Sequence, residues 1–254
     1  MHARGLVNGR EESSAVTRIA AVLALSGFLF GLSFATFSEM RVFLPALLRG
    51  AVVTVQISVL SALLFLVMSF VAGIAKDSSV AAIRWISIAY IEVFRGTSLL
   101  VQLFWLYFVL PEFGIVLTPM TAGILGIGLN FGAYGAEIVR GSMAAVPRGQ
   151  LEASIALNLT DWRRLTRIEI PQAIMVMTPG MTNLTIELIK ATSLVSAVTL
   201  VDITYASAQQ NQLHYRTLEI FAVTVMLYYC LAQFVRLGGS ALEDRFTRHL
   251  DRGH

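Results

Sequence analysis

The residues able to do chemistry in this sequence are the few polar ones set inside long apolar runs. Glu137, Glu187 and Lys190 are ionisable and lie within such runs, where a charge is costly unless it faces protein or water, so each is a functional candidate by default. Asn130 and Tyr134 share a helical face with Glu137, and Asn183 shares one with Glu187 and Lys190, by spacings of three and four. The two polar stripes can line one cavity. Local neutralisation competes with that role: Arg140 follows Glu137 by three residues, and Glu187 and Lys190 are themselves three apart, within reach of one another. Gln56 and Gln102 are lone polar residues of the kind that more often makes interhelical hydrogen bonds than binds a solute. Arg95, Gly96 and Thr97 interrupt two apolar stretches, with Arg95 placed to reach lipid headgroups.

Elements able to hold such stripes must be membrane helices. The chain of 254 residues is 56% hydrophobic and 14% charged, with a mean hydropathy of +0.71, far too apolar for a soluble domain. A span needs about 20 mostly apolar residues, and runs of that kind cover 19–38, 50–75, 98–117, 119–139, 178–201 and 217–236. The expected fold is therefore an all-α membrane protein of about six transmembrane helices, five or seven being the alternatives. Pro111, Gly114 and Pro119 alone divide the third run from the fourth. A cleaved signal peptide is the other reading of 19–38, but its apolar stretch exceeds the roughly 7 to 15 residues of a signal core.

Basic residues set the orientation. With the N-terminus inside, Arg4, Arg10, Arg18, Lys76, Arg84, Arg95, Arg140, Arg148, Arg163, Arg164, Arg167, Arg236, Arg245, Arg248 and Arg252 are cytoplasmic, against Arg41, Arg49 and Arg216 outside. Lys and Arg accumulate in cytoplasmic loops, so both termini are expected inside the cell, and nucleic acid is excluded as a partner. The single cysteine, Cys230, can build neither a disulfide framework nor a metal cluster, and His2, His214, His249 and His254 lack ligand spacing. No metal or cofactor is expected.

Between the fourth and fifth runs, residues 141–173 are too polar for lipid yet rich in helix formers. Pro147 can open a helix through Glu152 and Ala153, Asn158 breaks it, and Thr160 or Asp161 can cap a second helix expected to end before Pro171. The second helix sets Trp162, Leu165 and Ile168 on one face and Arg163, Arg164 and Arg167 on another. Periodicity alone leaves docking on lipid and docking on protein both open.

The string EASIALNLTDWRRLTRIEIPQA resembles the cytoplasmic loop of binding-protein-dependent ABC importer permeases, with its Glu-Ala-Ala, a glycine four residues on and a later Ile-x-Leu-Pro. YIEVFRGTSLLVQLFWLYFVLP (90–111), GLNFGAYGAEIVRG (128–141) and LIKATSL (188–194) resemble the permeases of the polar amino acid uptake family. The resemblance covers nearly all of residues 45–236. It implies a five-helix permease core there, an additional N-terminal helix at 19–38, a cytoplasmic segment at 1–18, a helix-turn-helix coupling loop at 141–173 and a cytoplasmic tail at 237–254. It also implies contact with an ATPase subunit through Glu152, Ala153, Ser154, Asn158 and Pro171, although Ser154 replaces the second alanine, Asn158 the glycine, and Ile170 the leucine. Asn is the residue after glycine that best tolerates a left-handed backbone, so the turn can survive.

Two acids of the family pattern are missing, since Leu184 and Ala191 stand where the amino acid permeases commonly carry Glu and Asp. That departure favours a solute other than a cationic amino acid. IEVFRGTSLLVQLFW with ELIKATSL is most similar to permeases for ectoine and hydroxyectoine, in the bacterial inner membrane. The implied partners are two ATP-binding cassette subunits, a second permease subunit (identical or homologous), an extracytoplasmic solute-binding protein and the bilayer. The chain itself has no Gly-x-x-x-x-Gly-Lys-Ser/Thr loop and is not expected to be an enzyme. An ion-coupled secondary transporter, with Glu137, Glu187 and Lys190 as coupling groups, is the alternative; the inverted repeats that would favour it are not visible.

Overall fold

The computed structural model describes residues 37–250, with no strand among them. The helices are α1 (Phe37–Lys76), α2 (Ala81–Gly96), α3 (Leu99–Phe104), α4 (Pro119–Ala144), α5 (Arg148–Ala156), α6 (Asp161–Arg164), α7 (Ile170–Ala191), α8 (Ile203–His214) and α9 (Thr217–Leu250). Irregular helical turns extend α3 to Phe113, join α6 to α7 and carry α7 on to Val198. All but the last two residues of the run expected at 19–38 lie outside the described residues, as do the segments 1–18 and 251–254.

Among the described residues three helices are long and apolar enough to cross a membrane alone: Val42–Lys76, Pro119–Ala144 and Thr217–Ser240. Two bent pairs raise the number to five if each is one span: Ala81–Gly96 with Leu99–Phe113, bent by 105°, and Asp161–Val198 with Ile203–His214, bent by 53°. The run expected at 98–117 is thus the second limb of a broken element. The run expected at 178–201 begins much earlier, at Asp161.

The centre of the bundle is the pairing of α1 with α4. Their backbones approach closely because small residues face one another, the usual device where lipid removes a hydrophobic drive between helices. A Cβ on Gly73 would stand 2.8 Å from the Ala136 carbonyl oxygen, and one on Gly128 would stand 2.7 Å from Leu64 Cδ2. Around this seam Ile57 and Phe65 of α1, Leu103 of α3, Ile127 and Val139 of α4 and Leu188 of α7 form one buried cluster. Two hydroxyls on α1 are satisfied locally, Thr54 donating to the Gly50 carbonyl at 3.0 Å and Ser69 to that of Phe65 at 2.7 Å, whereas the buried Ser61 hydroxyl has no hydrogen-bond partner among the described residues. Thr118 caps α4, accepting from the Thr121 N–H, and Pro119 follows at a position where a missing N–H costs nothing.

Candidate functional site

The break between α2 and α3 is held by side chains of α4 and α3. A helix that stops leaves its last carbonyls without partners. Asn130 Nδ2 donates to the Phe94 carbonyl at 2.8 Å and to Gln102 Oε1 at 3.1 Å, while Gln102 Nε2 donates to Phe94 O at 3.0 Å and Thr97 Oγ1 at 2.6 Å. Asn130 is therefore buried and spends its amide on the break, not on an open cavity. Gln102 makes the interhelical bonds expected of it.

Glu137 sits at the Lys76 end of the bundle, in an ion cluster larger than the expected pair with Arg140. Lys76 Nζ donates to Glu137 Oε1, Arg140 Nε lies 3.5 Å from Oε2, and Arg95 Nη1 lies 3.8 Å from Oε1. Arg95 also rests over the ring of Tyr134, its guanidinium carbon 5.4 Å from the centroid. Glu137 thereby ties α1, α2 and α4 together, and Tyr134 serves as the platform under one of its cations.

The second stripe behaves differently. Asn183, Glu187 and Lys190 are all exposed on α7, in line with Val176 and Pro179, while Leu188, Ile189 and Ile186 of the same helix are buried. No ion pair joins Glu187 to Lys190, so the mutual neutralisation anticipated from their spacing is absent. Their side chains project away from the core of the chain, where a charge within a span needs protein or water opposite it. A cavity of about 510 Å³ between α1, α7 and α9 contains none of the stripe; Leu66, Phe70, Met177, Met181 and Phe234 are among its mostly apolar walls.

Between α5 and α6 the chain turns as its residue types dictate. Pro147 immediately precedes α5, Asn158 takes a left-handed φ of 51°, and Thr160 Oγ1 accepts from the Arg163 N–H. Glu152, Ala153 and Asn158 are exposed, as are Leu157 at 73% and Trp162 at 71%, whereas Ser154 is buried, its hydroxyl donating to the Leu151 carbonyl at 2.6 Å. Arg164 leaves the solvated face expected for it and pairs with Glu169 at 2.9 Å and Asp161 at 3.1 Å. Pro171 does not end the second helix. Leu165–Glu169 widens to a π-turn, with the Ile170 N–H reaching the Leu165 carbonyl, and the exposed proline enters α7 in its first turn, where its missing N–H is tolerated.

One polar centre escaped the sequence reading. Asp202 is fully buried and caps α8: Oδ1 accepts from the Tyr205 N–H at 2.8 Å and Oδ2 from the Tyr228 hydroxyl of α9 at 2.9 Å. Thr54 of α1 accepts from the Ile203 N–H at 3.2 Å, so the cap binds three helices into one joint. Its signal was the single acid directly before ITYASAQQ, a residue type favoured at a helix N-cap.

Long apolar helices with small-residue seams, two sharply bent helix pairs and an exposed polar stripe are the features of a helical membrane protein. Comparison with known proteins narrows the class. The chain belongs to the family described as binding-protein-dependent transport system inner membrane component, whose pattern matches residues 69–248. It is 43% identical over 218 residues to a probable amino-acid ABC transporter permease protein of Sinorhizobium fredii, covering 84% of this chain and 91% of that one. It is 32% identical to the L-cystine transport system permease protein TcyB of Bacillus subtilis, covering 82% and 89%, and 34% identical to the glutamine transport system permease protein GlnP of Escherichia coli, covering 73% and 85%. Its fold matches the crystal structure of an amino acid ABC transporter with histidines at a TM-score of 0.77 and 31% identity, over 83% of this chain and 99% of that one. The protein is accordingly a multi-pass inner-membrane permease subunit of an ABC importer, non-catalytic in itself.

Proposed function

We propose that this chain forms the path by which a polar amino acid or an amino-acid-like zwitterion crosses the inner membrane, drawing its energy from partner ATPases. The observation that carries the reading is the exposed row Asn183, Glu187 and Lys190 on α7. A carboxylate, an ammonium and an amide on one face match the charges of a zwitterion, and their cost inside a bilayer is explained if that face meets a second permease subunit across a watery path. Asn130, Tyr134 and Glu137 serve that pathway indirectly, Asn130 by fixing the break after α2 and Tyr134 and Glu137 by anchoring the cations beside it. Ectoine or hydroxyectoine is the narrower proposal, supported by IEVFRGTSLLVQLFW and ELIKATSL and by the missing acids at Leu184 and Ala191.

In this proposal the turn between α5 and α6 faces the cytoplasm and seats one of two ATP-binding subunits through exposed Glu152, Ala153, Asn158 and Pro171, with buried Ser154 holding the turn beneath them. Exposed Leu157 and Trp162 give that contact an apolar centre. Both termini lie in the cytoplasm, and an extracytoplasmic solute-binding protein delivers the solute to the opposite face. The test is Glu187→Gln in a reconstituted complex, reading which solutes stimulate ATP hydrolysis. The solute profile is expected to change; a profile identical to that of the unaltered complex would return the stripe to a packing role.

A further inference from the structure

The cluster at the Lys76 end holds more positive charge than it neutralises. Lys76, Arg95 and Arg140 share one carboxylate, that of Glu137, and no other acid among the described residues pairs with them. Within the ion cluster three cations thus face one carboxylate, while the carboxylates of Asp77, next to Lys76, and Glu92, three residues before Arg95, are exposed and outside it. Lys76 is bonded to Glu137, but Arg95 and Arg140 touch it only at 3.8 and 3.5 Å, and the Arg140 Nε–H is buried without a hydrogen-bond acceptor. Both guanidinium groups are still reachable, with Arg95 40% and Arg140 39% exposed. Fixed by the Tyr134 ring beneath it, Arg95 presents a planar fork of unused donors, the geometry that grips phosphate in a two-pronged fashion.

The surroundings name the occupant. α2, which carries Arg95, turns Ile83, Ile86 and Val93 outward, with Trp85 exposed near its first turn and Glu92 the one acid exposed among them. An apolar face flanked by an exposed indole is the side a helix shows to lipid, the indole sitting at headgroup level. A free anion would meet the cations in water; a phospholipid would reach them along this apolar face and satisfy both surfaces at once.

We propose that Lys76, Arg95 and Arg140 form a binding site for the phosphate of an anionic phospholipid, whose acyl chains lie against α2. A basic pocket between spans on the cytoplasmic side is suited to such a headgroup. Only the naming of the leaflet rests on the orientation proposed above; the site itself does not depend on the solute.

The experiment is lipid retention by the full transporter complex in nanodiscs and in detergent, followed by native mass spectrometry, with phosphatidylglycerol and phosphatidylcholine offered in equal amounts. The unaltered complex is expected to retain phosphatidylglycerol in preference, and equal retention of the two lipids overturns the proposal without any variant. Arg95→Gln and Arg140→Gln are each expected to weaken phosphatidylglycerol retention about fivefold, which corresponds to the roughly 1 kcal/mol that one basic side chain contributes near anionic lipid. Arg163→Gln, exposed on α6, and Arg167→Gln, exposed on the turn after it, serve as charge controls; an equal loss there overturns the assignment in favour of general surface attraction. Displacement of the lipid by inorganic phosphate would assign the cations to a soluble anion and overturn it as well. None of these outcomes is shared with the Glu187→Gln solute profile.

Discussion

Replacing Asp202 by alanine should loosen the outer joint of the bundle by an amount the structure allows to be worked out. The substitution removes the acceptor for the Tyr205 N–H, an N-cap contact with a typical contribution of about 1 kcal/mol. It also removes the acceptor for the Tyr228 hydroxyl, a further ~1 kcal/mol. The hydroxyl is not orphaned, because Thr204 Oγ1 lies 3.0 Å away, so no additional desolvation term is due. The expected loss is about 2 kcal/mol. Asp202→Asn keeps one oxygen for the Tyr205 N–H and should lose about half as much. Tyr228→Phe should also lose about 1 kcal/mol, and the double variant Asp202→Ala/Tyr228→Phe should fall short of additivity because both single changes break the same bond. Reversible unfolding in mixed micelles, read by tryptophan fluorescence over a detergent titration, supplies the free energies. An Asp202→Ala loss below about 0.5 kcal/mol, within the range of ordinary surface changes, or strict additivity in the cycle, would refute the joint.

Two further outcomes follow from packing and exposure. Gly50→Ala puts a methyl 2.7 Å from the Asp202 carbonyl oxygen and 3.0 Å from the Ile203 nitrogen, both backbone atoms, so the cost should be about 1 to 3 kcal/mol, measured in the same titration. Glu152→Arg reverses an exposed charge on α5 and is expected to abolish co-purification of the ATPase while membrane insertion, read by fractionation, stays intact. ATPase recovery at the unaltered level would remove α5 from the contact.

The parts of this molecule that were legible in the sequence are those fixed by neighbours along the chain. Asn158 illustrates this: helix formers before it, a capping Thr160 after it and its own tolerance of a left-handed backbone together specify the turn, and its φ of 51° agrees. The apolar cores of α1, α4 and α9 were legible for the same reason, since 20 or more residues of one character need no partner to announce a span. Rules that are local but conditional failed where the backbone had another option. Pro171 should stop a helix, yet the π-turn at Leu165–Glu169 shifts the hydrogen-bond register and the helix continues through it.

What remained hidden depended on contacts between distant segments. α2 carries Arg84, Glu92 and Arg95 within 16 residues, too short and too charged to register as a span, and only the amides of Asn130 and Gln102 make a break after Gly96 tolerable. The polar residues thus divide by what lies opposite them. Asn130 and Glu137 face side chains of their own chain and are consumed by them, as the break and the ion cluster demonstrate. Asn183, Glu187 and Lys190, likewise an amide and ionisable groups on one helical face, face nothing among the described residues. Periodicity cannot separate the two stripes, because it fixes which residues share a face but not what that face meets. Only the second stripe leaves its polar groups without partners among the described residues, which is why the proposed solute path runs along it and not past Asn130.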